Sequence, residues 1–378
     1  MSVDAWGFDI ERQMSARRLR SLRIRLSAIR TAVAAALTLA LVLGGAGAVR
    51  DRVLSLPVPS WTATLLFLVV LFAVVMAVDL PFRYVGGYRW ERAFDLSSQS
   101  LGGWMKDLAK SFGLGLGATV AAGMVLLWLL AVWPTWWWLA AWVLGLGVSV
   151  VLAFIAPIVL VPMFYRFRPL EDPALRARFE SLAARAKVPI VGVFELHASE
   201  KTRRSNAAVM GLGRTRRVVV TDTLLHDFRP EEVETVLAHE LGHQKFLDPL
   251  RGFVLGSVMS LVTLAVAGSL YSILYPAFGI RSIADMAGLP LLAALLGLVS
   301  LPLRPLELSW SRAREARADR FSLGLTQDAP NFASAMVKLH DQNLGVADPS
   351  PWEKWLFYSH PPGRERVEIA RSFRGLTA

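Results

Sequence analysis

The chain has 378 residues, of which 54% are hydrophobic and only 19% charged, with a formal net charge of +11 and no cysteine. A soluble domain of this length is more polar, so the composition points to a membrane protein, and the absence of cysteine excludes disulfides and thiolate metal sites. The basic residues lie between apolar runs and no recognition motif accompanies them, so the charge is read as membrane topology and no nucleic-acid partner is expected.

Residues 1–30 form a basic arm carrying Arg12, Arg17, Arg18, Arg20, Arg23, Arg25 and Arg30. Four apolar runs follow within residues 31–164: Thr31 to Val49, Trp61 to Val78, Phe112 to Trp133, and Trp136 to Phe164. Each is long enough for the roughly 20 residues of helix that cross a bilayer. Ala46-Gly47-Ala48 has the look of a signal-peptide cleavage site, but the preceding arm is long for that purpose, so the first run is read as an uncleaved anchor. Trp133, Trp136, Trp137 and Trp138 cluster between the third and fourth runs, where an interfacial aromatic belt is expected. Residues 165–251 are polar. They contain a helix over Ala174 to Lys187, short strands over Val191 to Leu196 and Arg217 to Thr221, and a helix opened by Pro230 with acids in its first turn. Residues 252–305 hold two more apolar runs, Gly252 to Phe278 and Gly288 to Leu303, and residues 306–378 are again polar.

The arm and the second-to-third loop (Arg83, Arg89, Arg92, Lys106, Lys110) carry the positive charge, while the Pro134-Thr135 turn has none. The arm and both polar regions are therefore expected in the cytoplasm, which in a bacterial host means the inner face of the plasma membrane. Arg50, Arg52 and Arg281 fall on the other side, against the rule. The fold class expected is mainly α: a polytopic helical membrane protein of about six transmembrane helices, with a cytoplasmic zincin-type region containing a small β-hairpin.

The polar helix carries His239-Glu240-Leu241-Gly242-His243, an H-E-x-x-H pentad. Histidines four apart project from one helical face, where one tetrahedral zinc ion can take both rings. Glu240 is placed to act as general base on a water that the metal activates. A catalytic zinc needs a third protein ligand from the same side of the membrane. The hairpin of apolar runs returns the chain there, and Glu315 and Asp319 follow, four apart on one face. Glu315 is assigned as third ligand and Asp319 as acceptor for the outer N–H of a ligating histidine. One zinc ion per chain is expected. The competing class is a non-enzymatic transporter or scaffold with a structural metal. Such sites usually close with four protein ligands, and only three are found.

With these residues in place the chain resembles the type I CAAX prenyl endopeptidases, membrane zinc proteases of metallopeptidase family forty-eight, and less closely the bacterial heat-shock membrane proteases. The likeness rests on His239 to His243, Ser311 to Asp319, Ser205 to Gly213 (the family's S-N-A-x-x-x-G), Arg217 to Leu225, and Tyr358-Ser359-His360-Pro361-Pro362 with Glu365-Arg366. It implies a metalloendopeptidase whose partners are the bilayer and a peptide or protein substrate, possibly prenylated or membrane-embedded. It further implies that Asn206, His360 and Arg366 contact the peptide. The stretch Ala207, Ala208, Val209 to Gly211 would then form an edge strand able to pair with it. His360 and Arg366 would stabilise the developing oxyanion. Two departures stand out: eukaryotic members usually have seven spans, and the family's acidic V-I-E-E-x-F-G-F-N stretch is only faintly present at Tyr88 to Asp95.

Overall fold

The structure, a computed structural model, describes residues 2–211 and 213–373. Leu212 of the Ser205–Gly213 stretch and the residues after Phe373 lie outside the described residues.

Helix α1 (Ile10–Ala40) starts on Asp9, whose carboxylate accepts the Arg12 N–H, and runs unbroken from the basic arm into the first apolar run. A π-helical turn, Leu41–Gly45, passes it to α2 (Ala46–Leu54). Then come α3 (Ser60–Tyr84), α4 (Trp90–Ala93), α5 (Leu101–Val132) and α6 (Trp137–Ile155). The polar region holds β1 (Phe167–Pro169), α7 (Pro173–Arg185), β2 (Val193–Leu196), β3 (Ala207–Met210), β4 (Arg217–Thr221), α8 (Asp222–Asp227) and α9 (Pro230–Lys245). The hairpin is α10 (Asp248–Leu274) and α11 (Leu289–Ser300), and the C-terminal region is α12 (Arg304–Thr326), α13 (Ala329–Asn343), α14 (Pro351–Phe357) and α15 (Gly363–Ser372). Among the described residues, six helical stretches are long and apolar enough to cross a membrane: Ile10–Leu54, Ser60–Ala93, Leu101–Val132, Trp137–Leu160, Asp248–Phe278 and Met286–Thr326. Each corresponds to one of the six apolar runs, the third and fourth runs ending up to four residues beyond their helices. No residue in the apolar window of α6 is fully buried within the protein, as expected of a helix with a broad lipid-facing side.

Three details differ from the sequence reading. The small hairpin is the β3–β4 half of a four-stranded mixed sheet of order β1-β2-β4-β3. β2 pairs parallel with β4, and β1 antiparallel with β2. β1 is three residues ending in a proline, too short for an alternation signal, and a parallel partner leaves no turn signature. The tryptophans at the turn also divide. Trp133 and Trp136 are exposed, but Trp137 is buried against α10, where a β-carbon on Gly268 would stand 3.0 Å from its ring. Finally, the arm is not separate from the polar regions. Phe8 is buried with β-sheet and α13 residues, and Ala16 and Leu19 with Leu344 and Val346.

The charges that opposed the expected orientation are largely neutralised. Arg50 pairs with buried Asp285 and with Asp51, and Arg281 pairs with Asp51 at 2.7 Å.

The main polar core gathers α7, the sheet, α9, α13 and α15. Its anchor is Glu232, fully buried in the first turn of α9. It accepts from the Arg229 N–H at 2.8 Å, Ser334 Oγ at 2.6 Å and Lys338 Nζ at 2.7 Å, capping the start of α9 and joining it to α13. Burial opposes its charge, but the Lys338 ammonium, the Ser334 hydroxyl and the Arg229 N–H outweigh it and hold the carboxyl at about 2, below the ordinary 4.5. A carboxyl depressed by folding stabilises above its unfolded pKa, and the gain disappears as pH falls from about 4.5 to about 2. Replacing Glu232 by Gln should cost on the order of 3 kcal/mol at pH 7 and flatten the acid-induced loss in that window. Thermal unfolding of the detergent-solubilised protein at stepped pH checks both.

Candidate active site

α9 brings His239 and His243 to one face, ring centroids 4.8 Å apart and planes nearly perpendicular. Each ring is fixed from behind by a carboxylate. His239 Nδ1 lies 2.7 Å from Asp319 Oδ1, and His243 Nδ1 lies 2.9 Å from Asp248 Oδ2. A carboxylate on Nδ1 keeps the proton there and turns the Nε2 lone pair forward. The two Nε2 atoms are 3.1 Å apart; Glu315 Oε2 is 3.1 Å from that of His239, and Oε1 is 3.4 Å from that of His243. With a proton held on each Nδ1, two Nε2 lone pairs and a carboxylate oxygen face one another, an arrangement that a cation stabilises.

The surrounding charge agrees. Burial alone would lower the pKa of His239, yet Asp319 and Glu315 raise it to about 9, so the pocket attracts positive charge. Arg366 forks onto Asp319 (Nη2 to Oδ1 2.5 Å, Nε to Oδ2 2.9 Å), and Arg317 binds Asp248. Four carboxylates (Glu240, Asp248, Glu315, Asp319) and two guanidinium groups surround the histidines, so acids outnumber arginines in the pocket, which suits a cation. Glu240 stands within the field of both histidines, and burial holds it above the ordinary carboxylate range.

α12 reaches α9 by close contact. A β-carbon on Gly242 would stand 3.0 Å from Phe321 Cδ1 and 3.4 Å from Ala318 Cα. Buried Ser322 adds a hydrogen bond to the Thr235 carbonyl at 2.6 Å. α9 ends at Lys245, and Leu247, in the left-handed region at φ 54°, turns the chain into α10, so Asp248 falls back beside His243.

A cleft of about 430 Å³ opens on this group, lined by Asn206 and Ala207 as well as His239, Glu240, His360 and Arg366. Ala208 and Val209 continue along β3 without lining it. His360 Nε2 is 3.5 Å from Glu315 Oε1. Arg366 is turned to Asp319 by Nε and Nη2, so only Nη1 remains for a ligand in the cleft. The Asn206 carbonyl accepts the Thr221 N–H, so Ala208 faces β4 while the polar groups of Ala207 and Val209 face outward, on the sheet's free edge. The Asn206 side-chain oxygen takes the Ala207 N–H at 2.9 Å, and Gln244 reaches the Val209 carbonyl at 3.3 Å. Sequence reasoning missed Asp248 with its partner Arg317. The only available signal was an acid five residues after His243, at the start of the next helix.

Residues 169–374 match the model of peptidase family M48, and residues 8–166 match that of the CAAX prenyl protease N-terminal region, described as five membrane helices. This chain belongs to peptidase family M48. Among M48 relatives it is 30% identical to the uncharacterized metalloprotease YhfN of Bacillus subtilis over 308 residues, 80% of this chain and 72% of that one. It is 31% identical over 320 residues to a CAAX prenyl protease 1 homolog of Oryza sativa subsp. japonica, with the same coverage. The crystal structure of S. mikatae Ste24p superposes with a TM-score of 0.86 at 25% identity, covering 96% of this chain and 89% of that one. The chain is a multi-pass integral-membrane metalloendopeptidase that acts on a peptide or protein substrate, and the transporter or scaffold reading is set aside. Where the N-terminal family region is described by five helices, the described residues here provide four long apolar ones.

If the carboxylates on Nδ1 orient the rings as argued, Asp248→Asn and Asp319→Asn should each weaken metal binding by about 10- to 100-fold. Competition against a chelator of known affinity measures it.

Proposed function

We propose that this M48 protein is a zinc endopeptidase that cuts an extended peptide on the cytoplasmic face of the membrane, with one zinc ion held by His239, His243 and Glu315. The observation that carries this reading is the convergence of two Nε2 lone pairs and a carboxylate oxygen beside Glu240, in a cleft bordered by a free strand edge. Zinc bound there would supply Lewis acidity toward the scissile carbonyl and toward a water.

The chain's own residues do the rest. Glu240, raised by burial, takes the proton of the attacking water and passes it to the leaving amine. His360 and Arg366 Nη1 donate to the carbonyl oxygen as charge builds on it. The Ala207 carbonyl and the Val209 N–H, the edge groups not engaged among the described residues, pair with the peptide backbone, and Asn206, whose side-chain oxygen is already engaged, donates from its amide nitrogen. The cytoplasmic placement is supported by the basic arm and the basic second-to-third loop. In a bacterial cell that face belongs to the plasma membrane. The relatives named CAAX prenyl protease support a prenylated C-terminal peptide as substrate class. Comparing kcat/KM for farnesylated and unmodified forms of one peptide tests it. No nucleic-acid partner belongs to this reading.

The mechanism separates metal binding from proton transfer. Glu240→Ala should retain zinc and lose turnover by at least about a thousandfold, whereas Glu315→Ala should lose zinc together with activity. Metal content by elemental analysis beside peptide hydrolysis decides it: residual turnover in the first variant, or full zinc content in the second, removes that residue from its role.

A further inference from the structure

Arg20, on the membrane-external part of α1, forms part of the wall of the active-site cleft. Its guanidinium lies over the Phe357 ring, 4.7 Å from the centroid, and over Tyr358 at 5.4 Å. The side chain is only 26% exposed, and its Nε and Nη2 are buried without a hydrogen-bond partner. The nearest carboxylate oxygen, Glu353 Oε1, is 3.7 Å from Nε, outside hydrogen-bond range. The other oxygen of Glu353 is committed to the Ser350 N–H and hydroxyl. Arg20 therefore has Glu353 as an ion-pair partner beyond hydrogen-bond range, and part of its guanidinium is left to face the cleft.

Two further arginines stand behind it. Arg23 and Arg204 share the single carboxylate of Glu91, and Arg23 feels the charge of both Arg204 and Arg20. Three guanidinium groups thus meet two carboxylates, and only one of the three lines the cleft. This end has the opposite electrostatic sign to the metal end. The two ends belong to one groove, since Tyr358, stacked on Arg20, lies two residues before His360, which stands beside Glu315.

We propose that Arg20 forms an anion subsite of this cleft and takes a carboxylate of the bound peptide, either its C-terminal carboxylate or an acidic side chain. The inference rests on the peptidase reading above and deepens it by naming a feature of the substrate. The delocalised positive charge attracts a carboxylate, and the aromatic stack holds the guanidinium plane fixed. The bound carboxylate meets the part of the side chain that faces the cleft, while Nε and Nη2 stay buried. Arg20 is a specificity-determining residue, so its effect falls on discrimination between peptides rather than on the chemical step.

The test uses the full-length zinc-loaded protein in detergent and a fluorophore-labelled peptide of uncharged residues. One pair differs as C-terminal acid or amide; a second pair, both amidated, carries Asp or Asn at successive internal positions. The unsubstituted enzyme should prefer one carboxylate form by about tenfold or more in kcat/KM. Preference within the first pair identifies the terminus, and within the second an acidic side chain. Arg20→Gln should bring that ratio close to one, Arg20→Lys should keep part of it, and Arg18→Gln, an exposed arginine on the same helix, should leave it as it was. Absence of any preference in the unsubstituted enzyme, or an unchanged ratio in Arg20→Gln, overturns the proposal. Binding of the same peptides to Glu240→Gln is measured in parallel. Carboxylate-selective binding that depends on Arg20, together with no cleavage of any peptide by the unsubstituted zinc-loaded protein, would keep the subsite and sink the peptidase reading.

Discussion

The contact of α12 with α9 at Gly242 sets everything at the catalytic end. Without a side chain at that point, Ala318 and Phe321 come within van der Waals range of the α9 backbone. Glu315, one helical turn before Ala318, is thereby delivered to the two imidazoles, and Asp319, one residue after it, reaches the back of His239. Both carboxylates ride on a single helix, so a displacement of α12 by a methyl group's width disturbs a ligand and its neighbour's support together. Helix packing and metal geometry are one problem here, because close-packed interiors transmit such shifts instead of absorbing them.

The membrane hairpin is the frame that holds this contact. α10 begins at Asp248, the carboxylate behind His243, and α11 runs through one short 3₁₀ turn into α12, the helix of Glu315. Both legs of the hairpin therefore end in the site. Their mutual placement is fixed inside the apolar region by a core that includes Tyr271, Leu291, Leu292 and Leu295, and α10 is locked to α6 where Trp137 fills the space over Gly268. A catalytic group assembled from the ends of long rigid helices needs no flexible loop to position its ligands, and rigid support is what a metal centre requires.

The parts that local chemistry dictates were legible in the sequence. Two histidines on one helical face require a four-residue spacing, and the partner carboxylate requires an even number of crossings and a similar spacing between Glu315 and Asp319. The apolar runs were legible because a bilayer imposes a length. What escaped depends on backbone events without a compositional signature. Asp248 meets His243 because Leu247 adopts a left-handed conformation, which leucine does not announce. β2 finds β4 as a parallel neighbour across an intervening strand, so no turn marks the pairing. The basic arm looked like a topological signal alone, because its buried Ala16 and Leu19 are too sparse to stand out against seven arginines.

That arm shows why a net charge is a poor summary of what positive residues do. Asp9, Arg12 and Gln13 bind Asp341 and the backbone around Gly345, so the first turns of α1 are stitched to the end of α13, at the border of the substrate cleft. The same helix then carries its arginines toward the membrane. Some basic groups on the chain neutralise acids that orient the histidines, as Arg317 and Arg366 do, and others offset acids on the far side, as Arg50 and Arg281 do. Arg20 does neither: it is tied to the aromatic loop before His360 and lacks a hydrogen bond of its own. Since the arm is docked on the polar core before it enters the bilayer, the orientation of the first span and the shape of the cleft are set by one rigid helix. A first span inserted the other way round relative to the rest of the chain would lose both the arm's contacts and the wall of the active site.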